Sequence, residues 1–100
     1  MMQTHSITLG RNIPNSGKVT KQMWLDFVHN EVCTSLEYAT ITEGTGIYRG
    51  ELEQCMIISV STDDDSIVQT LHDIGARYKK QFNQDCYLYS TTHNPQFVLT

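Results

Sequence analysis

Charge is scarce in this chain of 100 residues: 18% of it is Asp, Glu, Lys or Arg, and the net charge is −4. Basic residues are the rarer sign, seven against eleven acidic ones, and they do not gather beyond Lys79 and Lys80. That argues against recognition of nucleic-acid phosphates, which needs a basic face, and it is compatible with a cationic small ligand. The three cysteines, Cys33, Cys55 and Cys86, are an odd number at wide spacing with no CxxC. Neither a zinc knuckle nor a redox pair is suggested, and they read as reduced, buried thiols. No apolar run approaches membrane-spanning length, and the opening MMQTHSITLG has no basic leader followed by an apolar stretch, as a signal peptide requires. The expectation is a cytoplasmic protein, one domain over residues 1–100, with a modest core that oligomerisation would help.

What the chain does have is a strong strand pattern over residues 44–61, GTGIYRGELEQCMIISVS. A glycine-punctuated turn at 43–46 precedes Tyr48 and Arg49, and a long strand follows. Alternation puts Leu52, Gln54, Met56, Ile58 and Val60 on a core face, and Glu51, Glu53, Cys55, Ile57 and Ser59 on the other. Carboxylates beside an apolar patch, a few residues after a tyrosine, suit a small cationic ligand; the same pattern also fits a solvated strand start.

Taken in order, residues 6–9 read as a first strand and 10–18, GRNIPNSGK, as a loop. Thr20 caps a helix running to about Val32, with Met23, Trp24, Phe27, Val28 and Val32 as its apolar stripe. Residues 34–42 read as a second strand. Thr62 caps a second helix with Asp63, Asp64 and Asp65 in its first turn, and no nearby histidine makes those acids a metal set. Ile67, Leu71, Ile74, Tyr78 and Phe82 form its stripe, and Gly75 inside it implies close packing on the sheet. Residues 85–91 read as a fourth strand, 92–95 as a turn and 96–99 as a short terminal strand.

The order β-α-β-β-α-β is the ferredoxin-like plan of the α+β class: an antiparallel sheet with two helices on one face. If Cys86 and Leu88 face the helices, Tyr87 and Tyr89 lie on the bare face with Cys55 and Ile57. So much apolar surface implies a covering partner sheet in a closed homo-oligomer.

Two phrases resemble a known family. Gln84-Asp85-Cys86, then Leu88 and Tyr89, then Thr92-His93, is similar to a segment of bacteriophage S-adenosylmethionine lyases, formerly called hydrolases. Thr45-Gly46-Ile47-Tyr48-Arg49, followed by a glutamate before an apolar strand, resembles the same family in the same order. The chain departs from it in having fewer residues between Tyr48 and Glu51 or Glu53, so either carboxylate fits the family's glutamate.

The resemblance implies a ferredoxin-like subunit assembled as a homotrimer with sites between subunits. It implies cleavage of S-adenosylmethionine to methylthioadenosine and homoserine lactone, without cofactor or metal, in a phage anti-restriction role in the infected cell. Glu53, Tyr48 and Glu51 are then the candidate catalytic residues. Gly46, Arg49, Tyr87, Tyr89 and His93 are the candidates for substrate binding. The alternative is a non-enzymatic trimeric sensor of a small metabolite or nucleotide on the same bare face.

Overall fold

A computed structural model describes residues 2–14 and 16–93. Four strands, β1 (Gln3–Gly10), β2 (Thr40–Tyr48), β3 (Glu51–Thr62) and β4 (Leu88–His93), form one antiparallel sheet in the order β2-β3-β1-β4. Helices α1 (Lys21–Phe27) and α2 (Ser66–Gln81) pack on one face of it, so the α+β, βαββαβ plan holds. The expected short strand at 96–99 lies outside the described residues.

Alternation decides which face is which. Ile7 and Leu9 of β1 and Met56, Ile58 and Val60 of β3 are buried against Trp24, Phe27, Leu71, Ile74, Tyr78 and Phe82 of the helical layer. Leu52 shares the face of Met56 but is 74% exposed, because the β2–β3 hairpin runs out past the helices. Thr20 caps α1 through Oγ1, which accepts from Met23 N at 3.1 Å. The helix then widens to a π turn over Val28–Val32, where Cys33 N reaches Val28 O at 2.8 Å.

Four expectations are corrected. The second strand is not 34–42: Leu36 is drawn into the core from the turn after the π segment, and pairing starts at Thr40. The turn is not 43–46 but Arg49-Gly50, with φ 51° and 80°; two successive positive values are what a two-residue hairpin needs to follow the strand twist. Gly44 and Gly46 sit inside β2 instead. Thr62 ends β3 rather than capping α2: its Oγ1 accepts from Asp64 N at 3.1 Å, and Asp64 accepts from Ser66 N at 3.0 Å, so the three acids precede the helix. That last bond holds the Asp64 carboxyl below its ordinary value.

The fourth correction is the largest. The last strand begins at Leu88 and continues to His93, not 85–91. Tyr87 and Tyr89 turn toward the helices, and Cys86 and Leu88 are exposed on the bare face. The Tyr87 ring covers Gly75, where a Cβ would lie 2.7 Å from it, and its hydroxyl is 2.7 Å from His72 Nδ1. Tyr89 is 2.8 Å from Nδ1 of buried His5 and packs its ring 4.6 Å from that of His72. The bare face is therefore mainly hydroxyl-bearing, with Thr4 bonded to Ser61 at 2.8 Å and Ser6 to Ser59 at 2.9 Å. Its less polar end carries Cys55, Ile57, Cys86 and Leu88.

Tyr78 joins the layers. Its ring lies 5.1 Å from Phe27, 5.9 Å from Trp24 and 4.8 Å from Phe82, and its hydroxyl donates to Gly10 O at 2.7 Å. Burial pushes this phenol far above its ordinary value, so it stays a donor at any physiological pH. Replacing Tyr78 with Phe keeps the packing and leaves the Gly10 carbonyl without that donor. The expected loss is about 1–3 kcal/mol in urea-induced unfolding, with the same fold by circular dichroism.

Candidate functional site

The end of β1 where Tyr78 is bonded is also where the bare face becomes concave. A cavity of about 450 Å³ opens there, lined by the end of β1, the tip of the β2–β3 hairpin and the segment leading into β4. Each wall follows from pairing. Gly46 lies opposite Glu53, and Tyr48 opposite Glu51, so the hairpin register delivers all four to one place. The Arg49-Gly50 turn holds the Arg49 guanidinium carbon 5.2 Å from the Tyr48 ring centroid. That cation already occupies one face of the ring.

Glu53 projects from β3 across β1, and its Oε2 accepts from Asn12 N at 2.9 Å. Among the described residues no donor reaches Oε1. The adjoining chain is tied down on both sides: Arg11 N donates to Gln54 O at 3.0 Å, and Gln84 Nε2 donates to Asn12 O at 2.8 Å. On the opposite rim Cys86 Sγ and the Tyr48 hydroxyl are in hydrogen-bonding contact, 3.9 Å apart. That contact first, then desolvation, raises the Tyr48 phenol above its ordinary value. Three carboxylates, Glu51, Glu53 and Asp85, line the cavity against one guanidinium, Arg49. With an apolar remainder including Pro14, Ile47 and Leu88, such a cavity suits an organic cation.

Of the residues singled out from the sequence, Glu53, Tyr48, Glu51, Gly46, Arg49 and Tyr87 all line this cavity. Tyr89 does not: it is engaged between His5 and His72 on the helix side. His93 ends β4, pairing with Gln3, while Leu88 at the cavity end pairs with Thr8. Five strand residues put its backbone roughly 16 Å beyond that end. Sequence reasoning missed Thr8, Gly10, Asn12 and Pro14 as lining residues, and it gave no site role to Gln84, Asp85, Cys86 or Leu88, which it had quoted for the resemblance. The loop reading of 10–18 is corrected too: Asn12–Ile13 pairs with Gly17–Lys18 in a short two-stranded sheet, and no spacing signal marks it. Among the described residues there is no cluster of His, Cys, Asp and Glu able to hold a metal ion, and no helix is long and apolar enough to cross a membrane.

Cys55 is half-buried beside Glu53, and desolvation first, then the Glu53 charge, raise its thiol above the ordinary value. Since the thiolate is the nucleophile, Cys55 should react with iodoacetamide at pH 8 more slowly than exposed Cys33. Glu53→Gln should speed its alkylation, read by peptide mass spectrometry.

The fold is shared with solved structures. A phage SAM lyase in complex with S-methyl-5′-thioadenosine superposes with a TM-score of 0.68 at 16% identity, covering 91% of this chain and 80% of that one. A phage SAM lyase in the apo state matches with a TM-score of 0.68 at 17% identity, covering 90% and 78%. The designed protein Foldit4 has the same architecture, with a TM-score of 0.60 at 17% identity over 95% of this chain and all of that one. The plan therefore does not by itself carry a function. No curated protein matches the sequence. A family model does match, over residues 4–97, and the chain belongs to that family, described as a protein of unknown function (DUF3574).

Proposed function

We propose that this protein is an S-adenosylmethionine lyase, cleaving its substrate to methylthioadenosine and homoserine lactone. The observation that carries this reading is the cavity itself. The hairpin register collects Tyr48, Glu51 and Glu53 on one rim, and Glu53 presents an unengaged carboxylate oxygen to an otherwise largely apolar space. Of the two segments that resemble the family, residues 46–49 and 84–88 lie on the walls of the same cavity while Tyr89 and His93 do not, and the shared fold supports the reading.

In the reaction the substrate's carboxylate oxygen attacks its own γ-carbon. An O–C bond forms, the C–S bond breaks, and its electron pair stays on sulfur as the neutral thioether leaves. No proton moves and no water, metal or cofactor is consumed. The nucleophile is ionised at neutral pH, so the protein needs no general base. Its work is to fold the methionine tail so that oxygen, carbon and sulfur lie in line, which contributes several kcal/mol, and to exclude water while opposite charges cancel.

Glu53 Oε1 binds the α-ammonium and anchors the tail, with Glu51, nearer the hairpin tip, adding negative potential. Tyr48 offers the ring face not covered by Arg49 to the sulfonium, worth up to about 2 kcal/mol when desolvated. Gly46, opposite Glu53, keeps the rim low enough for the ligand to enter. Draining the methyl donor of a host cell is the anti-restriction role this activity would serve.

The cavity opens on the bare sheet face, and exclusion of water calls for a lid. A second copy of the chain, in a closed homotrimer, supplies it in this proposal. Light scattering at micromolar concentration should report a trimer, and a monomer there would remove this part of the proposal.

The central test is chromatographic. Purified protein incubated with S-adenosylmethionine in the presence of a chelator should release methylthioadenosine and homoserine lactone. Glu53→Gln should lower the rate by about 100-fold or more, as expected for loss of a charge-assisted anchor in a dry site. Binding without turnover would instead identify a sensor, and full activity in both Glu53→Gln and Glu51→Gln would refute the carboxylate assignment.

A further inference from the structure

The Glu53 carboxylate lies directly over Gly10. A Cβ at position 10 would sit 2.5 Å from Oε2, 2.6 Å from Cδ and 2.7 Å from Oε1, so the carboxylate occupies the space a side chain would fill. Gly10 is not in the left-handed region, since only Gly17 and Gly50 are positive-φ glycines among the described residues. The strand conformation at Gly10 therefore does not demand glycine. The space above it does. Everything else about Gly10 is held: it pairs with Cys55, its carbonyl accepts from Tyr78, and the next two residues are bonded to Gln54 and Glu53.

We propose that Gly10 is a positioning residue for cation recognition. Its missing side chain lets Glu53 lie flat across β1, reach the Asn12 amide with Oε2 and turn Oε1 into the cavity. The proposal rests on the functional reading above for the identity of the cation, but not for the placement of Glu53.

The geometry makes a separable prediction. The atoms a Cβ would strike are the far end of a flexible side chain, not backbone, so Gly10→Ala is relieved by Glu53 swinging away. The variant should fold and melt close to the wild type, because β1 itself is not disturbed. Its carboxylate should lose the Asn12 amide and point elsewhere. Without the anchor, a ligand that carries the cationic tail loses a charge-assisted contact, while one that lacks the tail does not.

The ligand-free test is the amide resonance of Asn12 by NMR. It should move upfield in Gly10→Ala as it does in Glu53→Ala. An Asn12 resonance unmoved in Gly10→Ala overturns the proposal, whatever the protein binds. With calorimetry, S-adenosylmethionine and methylthioadenosine serve as the charged and neutral probes. Gly10→Ala should weaken the sulfonium about tenfold or more and leave the thioether within about threefold, the difference expected for one charged hydrogen bond. Glu53→Asp, one methylene too short to span Gly10, should reproduce the loss. In a Glu53→Ala background, Gly10→Ala should add nothing. An equal loss in that background, or equal weakening of both probes, overturns the proposal. A wild type that binds neither probe, with the Asn12 resonance displaced as expected, removes the lyase reading and leaves the positioning of Glu53 demonstrated.

Discussion

The hydrogen bond from buried Tyr78 to Gly10 O is the constraint on which the rest depends. Its ring is packed edge-on against Trp24 and Phe27 from α1 and tilted against Phe82 at the end of α2, so one side chain registers both helices. Its hydroxyl then pins the last residue of β1, one of the sheet's two inner strands. Buried aromatic area contributes most of the energy in such a core, but the phenol sets position, because a buried hydroxyl left without a partner costs more than a made bond gains.

That fixed strand end is the floor of the cavity. Asn12, two residues beyond it, offers its amide to Glu53, and Gln84 holds Asn12 from the other side through its carbonyl. The helix layer thus acts on the bare face through β1 rather than through direct contact. The negative rim follows from the hairpin: each cross-strand pair on the open face brings one residue of β2 against one of β3, and the tip alone carries Tyr48, Arg49, Glu51 and Glu53. A basic partner surface is not needed to explain this charge; an organic cation small enough for about 450 Å³ is sufficient.

Much of this was legible. The helical stripes through Trp24, Phe27 and Val32, and through Leu71, Ile74 and Tyr78, are the ones buried. So are Met56, Ile58 and Val60, the centre of the expected core face of the long strand. The errors share a cause. Glycines at 44 and 46 look like a turn, yet a strand at the sheet edge tolerates them, and the turn formed where Gly50 could take a positive φ after Arg49. In the last strand, Cys86 and Leu88 look as apolar as Tyr87 and Tyr89, and a one-residue choice reverses every side chain. The tyrosines go inward because His72 on α2 and His5 on β1 wait there for their hydroxyls. Those partners are 15 and 84 residues away, beyond the reach of any local pattern.

By itself the sequence determined the class of fold, the composition of the core and the acidic character of the long strand's start, because periodicity and residue type act over a few neighbours. Only the tertiary structure decided how the Glu53 carboxylate is held at the cavity. That depends on Gly10 and Asn12 coming beside Glu53 across a strand pair separated by 41 residues between Asn12 and Glu53, and such proximity exists only once the chain has folded.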